Sequence, residues 1–544
     1  MTSLSGDAFT RHKARAASAW GVRDQWQKVL MDAYNFVAPY RLSTRLITTA
    51  PQNRADLIFD NTAVMAHVRS VGRLQQDLFP TGEPFFALDV GPAAAALAGG
   101  DEGKIAEFRK ELELINDVAN AAFTTGEWDA ACSEMISDLL ISTGFLMILK
   151  GDAGHPVRFV SASMDEIAID EGPYGRVHGI FWKRKWAIRA ILEAWPKGDF
   201  SPEFRDSVTQ KGEEQQVLCQ DVVWDETAKR WRLYVYLEQA ADRTIHGEES
   251  RECPWITPRY FRMPGQVYGF GPVLMTLPTT KSLNKAMEIT LKAAALSMLG
   301  IFTRVDDGVF NPDTARLEPG AIWTVARNGG PLGPSIARLQ PGQIDVSNIV
   351  LKDLRMQVQS GMQDQQLPPE GSSPASAAEI LHRVQQLSQD HAGAYGRLVH
   401  EIVIPVVKRV LECLFDAGVF KSSRITIDQL LVSVKVISPL GQAAKAKKGQ
   451  TYLQWVQMLM MTDPTGALLK QSTPLGVGFA EVARDMGVPN SLILPQSVQQ
   501  DIQTSIAQGV QMAMQAMAKA KQQQDNPPPA NGDPGQGGGL PMAA

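Results

Sequence analysis

The residues that come nearest to a catalytic pattern are GGDEGKI at 99–105. A phosphate-gripping loop needs Gly, four residues and then Gly-Lys-Ser/Thr, because backbone N–H groups cradle the phosphates while the Lys and the hydroxyl hold the terminal phosphate and its metal. Ala98 stands where the first Gly belongs and Ile105 where the hydroxyl belongs. Any ATP-driven work must therefore come from a partner. YGFGP at 268–272 has two glycines, lacks the third of a dinucleotide fingerprint and follows no strand-to-helix context. His400-Glu401 has no second His at a zinc-binding offset. No G-x-S-x-G elbow occurs. Asp306-Asp307 lies in a Gly-rich stretch, where a turn or solvent role outweighs acid–base work. Cys132, Cys219, Cys253 and Cys413 are far apart and form no C-x-x-C, so they read as reduced thiols in a core. The expectation is a chain that is not an enzyme, with no catalytic residue, cofactor or metal.

Two segments could touch nucleic acid. FWKRKW at 181–186 interleaves two rings able to stack on bases, Trp182 and Trp186, with Lys183, Arg184 and Lys185. The competing reading, a strand with one packed face and cationic stems lying over it, is preferred because the run continues an alternating pattern. Arg11, Lys13 and Arg15 read as a solvated helix face. The net charge of −5, from 53 basic and 58 acidic residues, argues against a chain whose main task is gripping phosphates. Met458, Met460, Met461, Met512, Met514 and Met517 suit core or subunit packing, since Met fills irregular contacts.

The elements that would position any site follow from period and punctuation. The chain has 544 residues, more than one core usually serves, since single domains rarely exceed about 250–300 residues. The N-terminus has no apolar stretch of a signal peptide. The longest near-apolar run, Leu139 to Leu149, is far short of the roughly 20 residues that span a bilayer. A soluble chain made in the cytoplasm is expected. Residues 1–40 predict a helix marked by Trp20, Trp26, Leu30 and Phe36. A second helix, capped by Asp60 or Asn61, places Val64, Val68, Val71, Leu74 and Leu78 on one side and stops at Pro80. A strand follows at Phe85 to Val90, then helices over about 101–124 and 127–142. Short β-branched and aromatic runs between about 155 and 240, with a helix inserted at about 188–196, predict strands.

Pro264 to Phe420 is the most informative stretch. It reads as a Pro/Gly turn, a helix over 276–299, a Gly/Pro-rich excursion with short β runs, a helix over 344–361, a polar Pro/Gly/Ser loop and a very long helix bent by Gly393, Gly396 and Pro405. The first helix is a rod of about 35 Å. Such a hairpin arm buries its apolar sides only beside copies of itself, which suggests a ring or channel. A strand at 430–437, helices over about 440–524 and a Pro/Gly tail close the chain. The fold class expected is α+β, mostly α.

Several blocks together carry a resemblance. FDNTA…GRLQQDLFPTGEPFFALDV, FVSASMDEIAIDEGPYGRVHGIFWK, PGQVYGFGPVLMTLPTTKSLNKAMEITLKAA, SAAEILHRVQQLSQDHAGAYGRLVHEIVIPVVKRVLECLFDAG and VKVISPLGQAAKAK resemble, in order and spacing, the portal or head-to-tail connector proteins of tailed bacteriophages, especially the T7-like short-tailed type. ASAAEI departs from the family's usual Thr-containing start to the long helix. The resemblance implies a portal fold with wing, stem, clip and crown: wing 1–275 and 376–438, stem helices 276–299 and 344–361, clip 300–343, tunnel loop 362–375 and crown 439–524; the Pro/Gly tail 525–544 is extra to it and reads from its composition as disordered. It implies a ring, usually a homododecamer, at one capsid vertex of the virion, assembled in the host cytoplasm. Double-stranded DNA would pass through its channel in packaging and ejection. The terminase large subunit and then tail adaptor proteins would dock on the clip, with major capsid and scaffolding proteins as further partners and no membrane. The alternatives are another structural virion protein, a minor capsid protein or tail adaptor, or a virion-associated hydrolase.

A loop facing sliding DNA must not clamp it, because each neutralised phosphate strengthens binding through released counterions. The implied tunnel loop meets that need: Gln363, Gln365 and Gln366 are neutral, and Asp364 and Glu370 are acidic. Lys281, Lys285 and Lys292 share one side of the first stem helix. They are read either as sparse cationic rings toward DNA or as partners of acidic groups on a neighbouring subunit or solvent-facing groups.

Overall fold

The computed structural model describes residues 4, 6–41, 58–82, 84–91, 93–94, 102–125, 127–152, 154–239, 243–299, 302–304, 336–338, 344–364, 396–420, 432–436, 454–458 and 461. Residues 1–443 and 444–544 form two separate units. In the second, the described residues are a helical stretch over 454–458 and Met461, with Val456 buried and Met458 and Met461 exposed. The other methionines singled out above, the expected clip between 305 and 335 and most of the expected crown lie outside the described residues.

The first unit begins with α1 (Gly6–Val37) and α2 (Thr62–Leu78), followed by β1 (Phe86–Val90), α3 (Glu102–Thr125) and α4 (Trp128–Ile141). α4 is the centre of the core. It is buried on nearly every side, from Trp128 and Cys132 through Met135 to Leu140. An aromatic cluster locks its start: Phe79 at the end of α2, Phe85 before β1 and Phe123 of α3 all meet Trp128 or one another edge-on at 4.9–5.1 Å between ring centres. Such pairs add about 0.5–1.5 kcal/mol each beyond burial. Asp138, fully buried on α4, is tolerated because Tyr34 donates to it at 2.7 Å and Arg41 at 2.6 Å through both Nε and Nη2.

The buried side of α2 is rotated from the one its valines predict. Ala63, Ala66, His67, Ser70, Val71, Leu74 and Leu78 face the core, while Val68 is exposed. On that side the His67 ring nitrogen Nε2 meets the Ser137 hydroxyl at 3.0 Å, and the Ser70 hydroxyl lies between Ala66 O at 2.8 Å and Met362 O at 2.7 Å. The first turn of α2 is capped by Asp60, whose Oδ1 accepts from Thr62 N at 2.9 Å; Asn61 makes no cap bond.

The β part holds two antiparallel sheets. β2 (Leu146–Lys150) sits between β3 (Val157–Ser161) and β9 (Trp255–Ile256). β4 (Ile167–Glu171), β5 (Val177–Ala187), β6 (Gln215–Asp225), β7 (Arg230–Leu237) and β8 (His246–Ser250) form a five-stranded meander in that order. The inserted helix is two helices, α5 (Ile188–Ala194) and α6 (Pro202–Lys211); the second, capped by Ser201, was not expected. The run Leu139 to Leu149 divides between the end of α4 and β2, as an apolar run cut by Ser, Thr and Gly should.

YGFGP is a close crossing. A Cβ on Gly269 would sit 2.5 Å from Ser142 O, and one on Gly271 only 2.0 Å from Leu140 O. Gly271 N donates to Ile141 O at 3.0 Å. Its glycines serve backbone approach.

Beyond it, α7 (Pro272–Leu299) runs one turn longer at its start than predicted and passes through Pro278. β10 (Phe302–Arg304) pairs antiparallel with β11 (Ile336–Arg338), and α8 (Ile344–Gly361) returns alongside α7. Residues 376–395 of the expected long helix, Gly393 among them, lie outside the described residues; a π-helical turn, Val399–Val403, comes just before α9 (Ile404–Asp416). Pro405 lacks the N–H that would bond Glu401 O, so the ladder slips there. β12 (Val432–Val436) pairs antiparallel with β1, joining an early segment of the unit to a late one, with Phe86 opposite Val436. Among the described residues no helix is long and apolar enough to cross a membrane.

Candidate functional site

The C-terminal end of α8 is where the implied loop begins, and its geometry follows from its last residues. Asp364 N donates to Gln359 O at 2.8 Å and Gln363 N to Ser360 O at 3.0 Å. That pair of bonds is a Schellman close, which requires a left-handed residue between helix and exit. Gln363 fills it at φ +59°. A non-glycine residue there costs about 1–2 kcal/mol. The surrounding bonds offset this. Arg73 Nη1 donates to Gln363 O at 2.7 Å, Tyr260 OH to Gln363 Oε1 at 2.9 Å, and Ser70 Oγ to Met362 O at 2.7 Å.

Asp364 completes the root. Its carboxylate is buried and lies 2.9 Å from Arg69 Nη2. Burial raises its pKa above the ordinary carboxylate value, against the pull of Arg69 and Arg73. Arg69, Ser70 and Arg73 share a face of α2, so one helix holds the whole turn. Sequence reading named none of these three, nor Tyr260, because their role depends on contacts with a segment distant in the chain. Gln363 and Asp364 are thus root residues with side chains turned to the chain's own body. Gln365, Gln366 and Glu370 lie outside the described residues.

The rod carrying the three predicted lysines is pinned at its base. Lys281 Nζ lies 2.5 Å from Asp32 Oδ2 of α1 and over the Phe36 ring. Asn284 Oδ1 accepts from Phe59 N at 2.7 Å and from Asp60 N at 3.3 Å. Arg355 of α8 reaches the same Asp60 at 2.8 Å. Farther out, Lys285 and Lys292 both pair with Glu288, at 2.9 and 2.6 Å. These two bonds, that from Lys292 first, hold the Glu288 carboxyl below its usual value. The three lysines therefore carry partners within their own chain, and the outer pair keeps a surplus of one positive charge.

Both rods leave large apolar side chains uncovered. On α7 these are Met275, Ile289 (57% exposed) and Leu291; on α8 they are Ile349 (74% exposed), Val350 and Met356.

Most of the other chemical candidates resolve into packing, while Arg11, Arg184 and Lys185 are exposed. Trp182 is buried, its Nε1 donating to Glu166 Oε2 at 3.1 Å, and its ring stands edge-on to Trp255. Lys183 pairs with Glu238 at 2.7 Å and covers Trp20. Arg15 is held by Asp170 at 2.5 and 2.9 Å, and Lys13 donates to Glu238 O, so that helix face is docked on the sheet. His12 and Tyr236 converge on buried Asp221 at 2.8 and 2.7 Å, joining α1 to the same sheet. Burial pushes the Cys219 and Cys253 thiols up to about 12, which leaves no thiolate nucleophile there. Among the described residues no group of three or more His, Cys, Asp or Glu could hold a metal.

No curated protein matches the chain. Two solved structures are similar to it: the virion of a native gene transfer agent particle, 11% identical over 74% of this chain and 89% of the other with a TM-score of 0.31, and the neck of an empty gene transfer agent particle computed with C6 symmetry, 12% identical over 68% and 82% with a TM-score of 0.30. Likeness at that level carries no argument about function. Residues 10–494 match the family described as bacteriophage head to tail connecting protein, which spans most of the sequence. The chain belongs to the bacteriophage head-to-tail connecting protein family.

Proposed function

We propose that this chain is the portal subunit of a tailed phage: a ring at one capsid vertex through which double-stranded DNA enters and leaves. Membership in a structural connector family places the chain at the head–tail junction of a virion. The finer reading is supported by one observation above the others. The α7–α8 hairpin is pinned by ionic and polar anchors at its base, yet exposes Ile289, Leu291, Ile349, Val350 and Met356 along its length. Several uncovered apolar side chains on two neighbouring helices mark an interaction face rather than scattered surface. In this reading the exposed side of α7 in one copy meets the exposed side of α8 in the next, a heterologous contact, and heterologous contacts that close make rings. Twelve copies, as in portals of the short-tailed type, are the expected number.

In this reading the rods form the channel wall, and the loop leaving Asp364 forms a collar that meets the passing duplex. Gln365, Gln366 and Glu370 keep the collar from gripping phosphates, since a basic residue is multiplied by every subunit of the ring. Lys281 contributes to the wall's architecture through Asp32. The clip would dock the terminase large subunit during filling and tail adaptors afterwards, and capsid and scaffolding proteins would surround the wing.

Negative-stain images of the purified chain test the reading. Rings with a central hole wide enough for a duplex support it; a monodisperse single chain with no ring at any concentration removes it. Exchange of Gln365 and Gln366 for Lys then tests the collar: packaged DNA per particle should fall, and unaltered filling removes that part alone.

A further inference from the structure

The exposed stripe of α7 and the exposed stripe of α8 match each other in height, charge and apolarity. On α7, Ser282, Lys285, Ile289 and Lys292 are exposed at helical spacings of three and four. On α8, Ile349, Asp353, Met356 and Ser360 form the corresponding exposed line. Two contacts set the rods' relative height. Gly361 lies against the Thr276 side chain, and Arg355 Nη2 reaches Met287 Sδ at 4.0 Å. Carried along the two antiparallel rods, these levels put Ile289 beside Ile349 in height, and Asp353 falls within about one helical turn, 5.4 Å, of Glu288. At Glu288 both ammonium groups meet, at 2.9 and 2.6 Å, with one positive charge in surplus. Asp353 in turn receives only the Gln357 amide, at 2.9 Å, and is paired with no cation among the described residues.

We infer that the Lys285–Ile289–Lys292 stripe of one copy docks on the Ile349–Asp353–Met356 stripe of the next, with Ile289 on Ile349 and the two ammonium groups on Asp353. The inference rests on the ring reading given above. With the rods running along the axis of the ring, rotation keeps equivalent residues at one height, so groups level within a copy are level between copies. Apolar then meets apolar, and the anion that pairs with no cation among the described residues meets the surplus cation. The lysines thus serve subunit registry rather than DNA. A charged pair between apolar neighbours sets register and excludes wrong pairings, because like charges brought together repel.

Charge reversal with rescue decides the matter. The chain, the double variant Lys285→Glu/Lys292→Glu, the single variant Asp353→Lys and their combination are compared by native mass measurement, with circular dichroism reporting each fold. The double and the single variant should each raise the concentration for half-assembly about tenfold or more. The combination should return it toward the unmodified value. Unchanged assembly in the separate variants, or loss that the combination fails to restore, overturns the pairing while leaving the ring in place. Failure of the unmodified chain to form a ring overturns the ring reading itself, and is seen separately.

Discussion

Arg69 on α2 lies 2.9 Å from the buried carboxylate of Asp364, the residue that leaves α8. A helix near the start of the chain thereby holds the close of a helix that comes far later in the sequence. The ion pair is asymmetric. The carboxylate is enclosed, whereas the guanidinium is partly in solvent.

Removing Arg69 should therefore cost more than removing the charge it compensates. Arg69→Ala is expected to lower stability by about 1–3 kcal/mol, reduced from the full buried-pair cost by the solvent that reaches Arg69. Asp364→Asn should cost less, and the two together should resemble Asp364→Asn alone in a urea titration. The pH dependence has a definite sign. The folded pKa of Asp364 is raised, so protonation favours the folded state, and the penalty of the ionised form grows as pH rises from the ordinary carboxylate value through the raised one. The Arg69→Ala deficit should be smaller near pH 4 than at pH 7. An equal deficit at both would refute the assignment.

The left-handed backbone at Gln363 gives a second expectation. Gln363→Ala keeps the strained φ of +59° and loses the bond from Tyr260. Gln363→Gly loses the same bond but relieves the strain. The glycine variant should be the more stable by about 1 kcal/mol. Equal melting temperatures would mean that the turn is not left-handed.

His67 supplies an acid-sensitive element. Its ring is buried against Ser137, and burial lowers its pKa from 6.5 to about 4. The folded chain thus favours the neutral ring, and stability should fall as pH drops from about 6.5 to about 4. The loss attributable to this group is on the order of 3 kcal/mol. His67→Gln should flatten the stability curve over that interval, and an unaltered slope in the variant would rule the histidine out.

Two glycines should respond oppositely to alanine. Gly271→Ala puts a Cβ 2.0 Å from Leu140 O, backbone that has no room to yield, and should destabilise by about 3 kcal/mol or more. Gly72→Ala, in the exposed middle of α2 with nothing within 4 Å, should stabilise the isolated subunit by about 0.5–1 kcal/mol. Thermal melts of both variants check the pair.

Local chemistry in the sequence already determined much of this protein. The spacing of apolar residues and the Pro/Gly punctuation located the long rods near 276–299 and 344–361 and the short strands between 155 and 240, because helix and strand periods are properties of neighbouring residues. The broken phosphate-loop pattern at 99–105 and the scattered cysteines were equally plain, since those motifs are short-range. Tertiary structure alone decided which side of α2 is buried, that YGFGP is a close crossing, that β1 pairs with β12, and that Arg69, Ser70 and Arg73 hold the turn at Gln363 and Asp364. Each of these depends on groups brought together from distant positions, and a buried polar contact leaves no periodic trace in either of the segments that make it.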